Sequence, residues 1–273
     1  MAAISPNKTV LLTGGSAGLG LATLEILLNQ GCNVVSLQRS ETPELAALAG
    51  KYAGALVISK GDVAVEGDNK AAVDVALQSF GRLDALILNA GTLHPLGAVS
   101  SLSGPRLAEL KSLFDVNFFA LVAILAYAIP HLRSREGKTG LADGEPAGRV
   151  VLVSSGAATG GTTGWAAYNA SKAAMNSLGR TLGAEEADIV TVAVRPGTPD
   201  TVMQQKIREL GAAHMSPTDH ARFTGLQERG ELLPPREPGG VLAGLALDAP
   251  KELSGQFVNW NDEEKALKYQ LRL

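Results

Sequence analysis

The chain has 273 residues, of which 45% are hydrophobic, and a formal net charge of −3. That length is enough for one large α/β domain with a substantial core. The near-balanced charge gives no electrostatic reason to expect nucleic acid or an anionic membrane as a partner. A single cysteine, Cys32, excludes an internal disulfide and favours a reducing compartment. We therefore expect a soluble, cytoplasmic protein that forms a single domain over residues 1–273.

Two segments bear on targeting to a membrane. The first eight residues, Met1 to Lys8, lack the apolar run of a signal peptide. The longest apolar stretch, Phe118 to Ile129, is shorter than the roughly 20 residues that cross a bilayer, and it ends at Pro130. A buried helix face explains this stretch better than a membrane span.

Strand-like and helix-like segments alternate along the chain. The strands are continuous apolar runs with little alternation, which is typical of a parallel sheet buried on both faces. This order predicts a doubly wound, Rossmann-type parallel sheet of about seven strands with helices on both faces. The predicted strands are Val10–Leu12, Asn33–Leu37, Ala55–Ile58, Asp84–Leu88, Arg149–Val153, Val190–Arg195 and Gln256–Trp260.

Helix boundaries follow from glycine and proline signals and from hydrophobic periodicity. Gly31 stands where a helix C-cap belongs, and Pro43 is typical of a first helical turn. The polar, glycine-rich segment from His131 to Gly148 is predicted as an exposed loop, and Thr198 to Pro238 as a polar, proline-containing region. The predicted helices end near Asn29, begin at Pro43, and cover Glu66–Phe80, Pro105–Ile129, Gly164 to about Ala187, and Val241–Leu247.

The first predicted strand runs into a glycine-rich turn, Thr13-Gly14-Gly15-Ser16-Ala17-Gly18-Leu19-Gly20. Its glycines let the backbone turn tightly and approach a ligand without Cβ clashes. The helix that starts there directs unpaired N–H groups at an anion, so the turn predicts a pyrophosphate cradle. The spacing departs from G-x-G-x-x-G, because Thr23 stands where the last glycine belongs.

The end of the second predicted strand bears on the choice of dinucleotide. About 18 residues past Gly20, a cofactor with a free ribose 2′-hydroxyl calls for Asp or Glu, but the chain has Gln38 followed by Arg39. A carboxylate would repel a 2′-phosphate, whereas a guanidinium binds it bidentately. Arg39 therefore favours NADP(H) over NAD(H); an exposed arginine at a strand end is the alternative.

Tyr168 and Lys172 stand four residues apart, which places both side chains on one face of a helix. A neighbouring cation favours the phenolate and lowers the tyrosine pKa from its ordinary value of about 10. A tyrosine tuned in this way suits proton transfer to carbonyls and from alcohols. Such pairs also occur by chance on solvated helices, so the pair alone is weak evidence.

With these residues assembled, the chain resembles the short-chain dehydrogenase/reductase family, in its compact single-domain branch. The resemblance extends from Val10 to about Trp260. A looser similarity at Arg229–Pro235 and Ser254–Trp260, to a sepiapterin- or benzil-reductase-type subgroup, does not fix the substrate. The matching motifs are the turn Thr13–Gly20, Asp62-Val63, Asn89-Ala90-Gly91, Asn117, Ser155, the Tyr168/Lys172 pair and Pro196-Gly197.

The resemblance implies a role for each matching residue. Tyr168 would be the acid in reduction and the base in oxidation, and Ser155 would hydrogen-bond the substrate oxygen. Lys172 would bind the nicotinamide ribose and lower the tyrosine pKa, and Asn117 would hold a water that connects Lys172 to solvent. Ser154, one residue off the expected spacing, is predicted to be structural. The implied cofactor-binding residues are Gly14, Ser16, Gly18, Leu19, Gly20, Arg39, Asp62, Val63, Asn89, Ala90, Gly91, Tyr168, Lys172, Pro196, Gly197 and Thr201.

The region 198–238 follows the cofactor-closing position and is expected to cover the substrate as a lid. Met203, Met215, Phe223 and Leu226 suit either an apolar pocket or packing within the lid. Trp165, Leu93 and His94 are candidates for the pocket wall. The four histidines show no metal-ligand spacing, and we expect no metal site.

The leading interpretation is NADPH-dependent reduction of a ketone or aldehyde on a small or medium-sized apolar molecule. NADP-dependent oxidation of a secondary alcohol is the alternative among enzymes. A regulator that binds NADP(H) without turnover is the alternative from another class, and the full set Ser155, Tyr168, Lys172 and Asn117 argues against it. Family members often pair through the helix that contains Phe118–Ile129, so a homodimer or homotetramer is expected, with burial inside the monomer as the alternative.

Overall fold

A parallel β-sheet forms the centre of the computed structural model, which describes residues 7–138, 141 and 144–273. In these residues the strands are β1 (Thr9–Thr13), β2 (Asn33–Gln38), β3 (Leu56–Lys60), β4 (Ala85–Leu88), β5 (Gly148–Val153), β6 (Ile189–Arg195) and β7 (Phe257–Asn259). They lie in the order β3-β2-β1-β4-β5-β6-β7, and every neighbouring pair is parallel. The predicted fold class is confirmed, and each strand lies within two residues of its predicted bounds.

Helices cover both faces of the sheet. Because side chains alternate along a strand, Val10 and Leu12 of β1 enter one apolar cluster and Leu11 enters the other. The first cluster takes its helical side chains mainly from α1 and α9, and the second from α3, α5 and α6. The helices of the described residues are α1 (Gly18–Asn29), α2 (Pro43–Lys51), α3 (Glu66–Phe80), α4 (Pro105–Phe114), α5 (Ala120–Arg133), α6 (Ala166–Glu185), α7 (Val202–Gly211), α8 (Pro217–Glu228) and α9 (Arg236–Asp248).

The strand order reverses between β1 and β4. From β1 the chain continues through β2 and β3 on one side, then crosses to β4 on the other. In open parallel sheets the loops separate at such a reversal and leave a crevice at the carboxyl ends of the strands. The glycine-rich turn after β1 and the Asn89 turn after β4 both lie at this crevice.

The predicted long helix is interrupted in the structure. A π-helical turn, Asp115–Phe119, separates α4 from α5 and contains Asn117. The helix then continues past Pro130 to Arg133, so the predicted end at Ile129 and the predicted loop start at His131 are both wrong. Pro130 costs one backbone hydrogen bond, and the fully buried Leu132 in the turn that follows offsets this loss. Residues 139, 140, 142 and 143 of the predicted loop lie outside the described residues.

The continuous helical run Pro105–Arg133 is, among the described residues, the one helix long and apolar enough to cross a membrane by length and composition. The core helix of a soluble protein passes the same test. Leu121, Ile124 and Leu125 of this run are buried in the cluster against the sheet. Packing inside the protein therefore accounts for part of its apolar character, whereas Phe119 and Val122 of the same run are exposed.

The region between β6 and β7 contains more helix than its sequence predicts. It holds α7 and α8, which were not predicted, and α9 begins at Arg236 and not at Val241. Pro238 is the reason that the sequence placed the start later, since proline disfavours a helix interior. It is tolerated here because it lies in the first turn, where a backbone N–H makes no hydrogen bond within the helix. Thr201 and Ser216 cap α7 and α8 by accepting from the backbone N–H groups of Gln204 and Asp219.

Candidate active site

The glycine-rich turn closes the carboxyl end of β1 on α1. Gly14 and Gly18 have φ values of +75° and +53°, in the left-handed region that favours glycine. A Cβ on Gly20 would clash with the carbonyl oxygen of Gly14. Ala17, the N-cap of α1, provides no side-chain cap, so the first N–H groups of the helix stay available to an anion. Thr201 covers this turn, since a Cβ on Gly18 would lie 2.9 Å from its Cγ2.

Hydrogen bonds join the glycine-rich turn to the turn after β4. Thr13 Oγ1 accepts from the backbone N–H groups of Asn89 and Ala90, each at 3.1 Å. In return, Asn89 Nδ2 donates to the carbonyl oxygens of Thr13 and Gly14, each at 3.0 Å. Asn89 therefore braces the two turns against each other across the strand reversal.

The structure brings Ser155, Tyr168 and Lys172 together. Tyr168 and Lys172 lie on the inner face of α6, where the two residues are only 6% and 3% exposed to solvent. Lys172 Nζ lies 5.8 Å from the centroid of the Tyr168 ring. Ser155 follows β5, and its side chain hydrogen-bonds to that of Tyr168. A phenol, a hydroxyl and an amine thus share one buried site.

The pKa of Tyr168 differs from the expectation drawn from the sequence. Burial raises it to about 12, and the hydrogen bond from Ser155 lowers it only in part. Burial also lowers the pKa of Lys172 to about 7. A lysine that gives up its proton this readily is only partly charged near neutral pH, so it does not offset the burial of the phenol. Tyr168 is therefore protonated at neutral pH, which suits a proton donor.

Asn117 and Lys172 are held by backbone groups. Asn117 Nδ2 donates to the carbonyl oxygen of Thr92 at 2.8 Å and to Ser171 Oγ at 3.1 Å, and its Oδ1 accepts from the N–H of Thr92 at 2.8 Å. Lys172 Nζ donates to the carbonyl oxygen of Val153 at 2.8 Å. These bonds position the loop that follows Asn89, and the water-holding role of Asn117 stays a prediction. The buried Ser154 lines the cavity described next and donates to Asn176 Oδ1 at 2.6 Å, and its structural role stays a prediction.

A cavity of about 760 Å³ runs along the carboxyl edge of the sheet. Among the predicted cofactor residues, all except Gly197 line it: Gly14, Ser16, Gly18, Leu19, Gly20, Arg39, Asp62, Val63, Asn89, Ala90, Gly91, Tyr168, Lys172, Pro196 and Thr201. Gly197 faces other neighbours, because a Cβ on it would lie 2.6 Å from Leu233 Cδ1. Ser155 and Asn117 are not lining residues, and they reach the cavity through their contacts with Tyr168 and with the Thr92 loop.

One wall of the cavity was missed by the sequence analysis, and one expected residue lies beside it. One face of α4 and the π-helical turn, including Ala108, Ser112 and Val116, lines it and was missed. The signal was present as small side chains four residues apart. His94 lines the cavity as expected, with its Nε2 3.5 Å from Glu109 Oε2.

The predicted pocket residues divide between the cavity and the apolar cluster behind it, except Leu226, which belongs to neither. Met203 lines the cavity. Leu93, Trp165, Met215 and Phe223 are instead buried in the apolar cluster that contains Tyr168.

The end of β2 presents a cation to the cavity. The Arg39 side chain is 79% exposed, and its nearest acidic partner among the described residues is Asp62, with Nη1 and Oδ2 3.8 Å apart. An exposed pair at this distance is weak, so the guanidinium stays available to another anion.

Neither metal ligation nor thiol chemistry is indicated by the described residues. They contain no group of three or more His, Cys, Asp or Glu side chains that could hold a metal ion. Cys32 is buried, and burial raises its thiol pKa to about 12. This cysteine is therefore an unreactive, small core residue.

Comparison with known families now places the chain. Residues 8–211 match the model of the short chain dehydrogenase family. The chain belongs to the short-chain dehydrogenase/reductase family. Its members use a nicotinamide cofactor, so this protein is an oxidoreductase of that type.

Individual relatives agree with this placement. A benzil reductase ((S)-benzoin forming) of Saccharomyces cerevisiae is 36% identical over 265 residues, which span 94% of this chain and 97% of the relative. A crystal structure of a short-chain dehydrogenase/reductase from the same yeast superposes with a TM-score of 0.87 at 35% identity, covering 97% of this chain and all of the other. A 3-ketoacyl-(acyl-carrier-protein) reductase from Brucella melitensis, solved with NADH, superposes with a TM-score of 0.76 at 25% identity, covering 93% and 96%.

Lys172 predicts a distinct pH dependence of stability. Its pKa is about 7 in the folded protein against an ordinary 10.5, so between these values the unfolded chain holds more protons on this residue. The free energy of unfolding should therefore rise with pH from about 7 to about 10.5. Urea denaturation across this range should show a flatter profile for Lys172→Met. Lys51→Met, at an exposed site on α2, is the control and should keep the wild-type slope; an unchanged slope in Lys172→Met would contradict the prediction.

Proposed function

We propose that this short-chain dehydrogenase/reductase reduces a ketone or aldehyde on a small or medium-sized apolar molecule, with NADPH as the reductant. The observation that carries the proposal is the position of Tyr168. It lines the same cavity as the glycine-rich turn, hydrogen-bonds to Ser155 and lies one helical turn from Lys172. The site thus combines a buried proton donor with a cradle for a dinucleotide.

The residues present fit a dinucleotide on two counts. The glycine-rich turn is so tight that a Cβ on Gly20 would clash with the carbonyl oxygen of Gly14, so its backbone is exposed to the cavity without side chains. The start of α1 has no side-chain cap, and its first N–H groups face the cavity. We propose that this turn holds the pyrophosphate, that Asp62 and Val63 hold the adenine, and that Lys172 binds the nicotinamide ribose. When bound, the reduced nicotinamide supplies the hydride.

The protein's own groups handle the substrate oxygen. As a carbonyl is reduced, negative charge develops on its oxygen, and two hydroxyl donors directed at that oxygen stabilise it. Ser155 and Tyr168 are the donors proposed here, and the proton moves from the phenol oxygen of Tyr168 to the substrate oxygen. The phenolate left behind is favoured by whatever positive charge Lys172 carries, and its pKa of about 7 leaves this amine partly charged at neutral pH.

The raised tyrosine pKa means that Tyr168 already carries the proton that a carbonyl reduction consumes. In oxidation Tyr168 must begin as a base, and a phenol with a pKa of about 12 is almost fully protonated at neutral pH. In reduction it begins as an acid and is already in the required form. Oxidation of a secondary alcohol remains the alternative direction for the same residues, since cellular cofactor ratios also bear on it.

Two features support the choice of substrate and cofactor. The substrate end of the site adjoins an apolar cluster that includes Leu113, Trp165 and Phe223, and one relative is a benzil reductase, so aromatic ketones and diketones belong first in any screen. Arg39 and the lack of an acidic residue at Gln38 favour a 2′-phosphate, and therefore NADPH.

The surroundings of the site support three further parts of the proposal. We propose that residues 1–273 form one domain, with the segment 198–238 as its substrate lid, because α7 contributes Val202, Met203 and Gln204 to the cavity wall. A cytoplasmic location suits the single, buried, free Cys32. The partner is a small carbonyl or alcohol substrate, without nucleic acid, membrane or metal.

Replacing Tyr168 tests the proposed chemistry. Tyr168→Phe should lower kcat for carbonyl reduction by about 10²–10⁴-fold, because it removes the proton donor. NADPH affinity should stay nearly unchanged. Turnover is measured by NADPH depletion over a panel of ketones, aldehydes, diketones and quinones, and affinity by direct titration of NADPH binding.

Tyr52→Phe, at the end of α2, is the matched control. Unchanged turnover in Tyr168→Phe would remove this residue from the mechanism, and a wild-type protein that binds NADPH but reduces nothing in the panel would favour a regulator.

Replacing Arg39 tests the cofactor assignment. A charged hydrogen bond to the 2′-phosphate contributes roughly 1.5–3 kcal/mol, so Arg39→Ala should weaken NADPH binding by about 10- to 100-fold and leave NADH binding unchanged. Isothermal titration with both cofactors measures this. Lys60→Ala removes an exposed cation from the end of β3 as a charge-matched control. If the wild type binds NADH as tightly as NADPH, the assignment to Arg39 is wrong.

The start of α5 supports the proposed oligomer. Phe119 and Val122 are 56% and 43% exposed on the helical run that also carries the buried Leu121. We propose a homodimer or homotetramer that covers these side chains. Light scattering at micromolar concentration should give a multiple of 28.2 kDa, and Phe119→Glu should shift it toward the monomer. Val99→Glu, at another exposed apolar position, should not. A monomeric wild type would contradict the proposal.

A further inference from the structure

Trp165 connects the lid region to the proposed proton donor. Its indole stacks on the ring of Phe223 in α8, with centroids 5.2 Å apart and planes at 23°. Its other contact is edge-to-face with Tyr168, with centroids 5.5 Å apart and planes at 89°. The three rings are buried in one apolar cluster. Trp165 therefore makes a continuous chain of ring contacts from α8 to Tyr168.

The Trp165 ring is held by packing. Its Nε1 is buried and has no hydrogen-bond partner among the described residues. The orientation of the indole therefore depends on packing in the cluster, in which Phe223 and Tyr168 make the ring contacts.

A set of hydrogen bonds fastens α8 to the same segment of chain. Asp219, in the first turn of α8, accepts from the backbone N–H of Thr163 at 3.0 Å and from Thr163 Oγ1 at 2.5 Å. Ser216, the N-cap of α8, donates its hydroxyl to Asp219 at 2.9 Å, and its backbone N–H donates to Thr163 Oγ1 at 2.6 Å. We call this set the Thr163–Asp219 clasp.

The clasp lies directly before the helix that carries Tyr168. The backbone N–H of Trp165 donates to the carbonyl oxygen of Thr162, and that of Asn169 donates to Trp165. Gly164, with φ +75°, packs so closely on the backbone of His214 that a Cβ would clash with the His214 carbonyl oxygen. The segment 162–165 is therefore a rigid junction between the end of α7, the start of α8 and the first turn of α6.

We propose that Phe223 and the Thr163–Asp219 clasp are positioning elements, which dock α8 on the residue 162–165 junction and thereby hold the Tyr168 phenol at the substrate oxygen. This inference rests on the proposed function, because it assigns these residues to the same proton-transfer step. It also separates the lid into two parts. The start of α7 covers the cofactor turn through Thr201, whereas α8 is fixed to the catalytic helix.

Two substitutions test the two contacts separately. Phe223→Leu keeps an apolar side chain but removes the ring that stacks on Trp165. Thr163→Val keeps the shape of the side chain but removes the hydroxyl of the clasp, and Thr163→Ser restores it. Phe114→Leu is the matched control, because Phe114 packs against the same cluster without a ring contact to Trp165. Urea denaturation of each variant separates lost activity from lost folding.

Three measurements are made on the full-length protein. The first is kcat for the best substrate of the carbonyl panel, and the second is NADPH affinity by titration. The third is tryptophan emission in a Trp260→Phe background, where Trp165 is the one remaining tryptophan. The emission readout requires neither substrate nor cofactor, so it tests the packing even where turnover is absent.

Phe223→Leu and Thr163→Val should each lower kcat about tenfold, since small misplacements of a reacting group are costly, with NADPH affinity within about twofold of wild type. Emission of Trp165 should shift to longer wavelength in both variants, and Thr163→Ser and Phe114→Leu should resemble wild type in all three measurements. Wild-type kcat in Phe223→Leu and Thr163→Val, or an equal loss in Phe114→Leu, would overturn the inference. A wild type that lacks turnover while these emission shifts occur would instead refute the proposed function and leave the packing arrangement in place.

Discussion

The site depends on the parallel pairing of β1 with β4. This register brings the turn after β1 and the turn after β4 side by side at the one place where the strand order reverses. Four hydrogen bonds, made by the side chains of Thr13 and Asn89 to backbone groups of the opposite turn, then hold the two turns together. Without them, the glycine-rich turn would lose its fixed neighbour, and the part-buried N–H groups of Asn89 and Ala90 would lose their partner.

Burial governs the chemistry of the neighbouring groups. Both Tyr168 and Lys172 leave water when α6 packs on the sheet, and each is pushed toward its neutral form. The hydroxyl of Ser155 opposes this only for the phenol. The phenol therefore carries a proton at neutral pH, as the proposed reduction requires, although it is a weaker acid than a free tyrosine.

The apolar cluster around Trp165 lies directly behind the proposed proton donor, Tyr168. Its rings form the support behind Tyr168, and the side chains of α4 and α7 line the open part of the cavity. The polar wall at the glycine-rich turn would be the cofactor end of the proposed site, and the apolar support at Tyr168 would be its substrate end. The division follows from the sheet, whose strand ends carry both the turn and Ser155.

The sequence alone determined the fold class, the strands, and most of the residues that line the cavity. Local signals are sufficient there, because a buried parallel strand, a glycine-rich turn and a four-residue helical spacing are each recorded in consecutive residues. Helices α7 and α8 were missed although Thr201 and Ser216 provide capping signals. The nearby prolines are typical of loops and favoured the prediction of an irregular region. The pKa of Tyr168, the contribution of α4 to the cavity and the stack of Trp165 on Phe223 were decided by the tertiary structure. Each of these three features depends on how deeply a side chain is buried and on which distant element packs against it. The spacing of neighbouring residues along the chain encodes neither of these two factors.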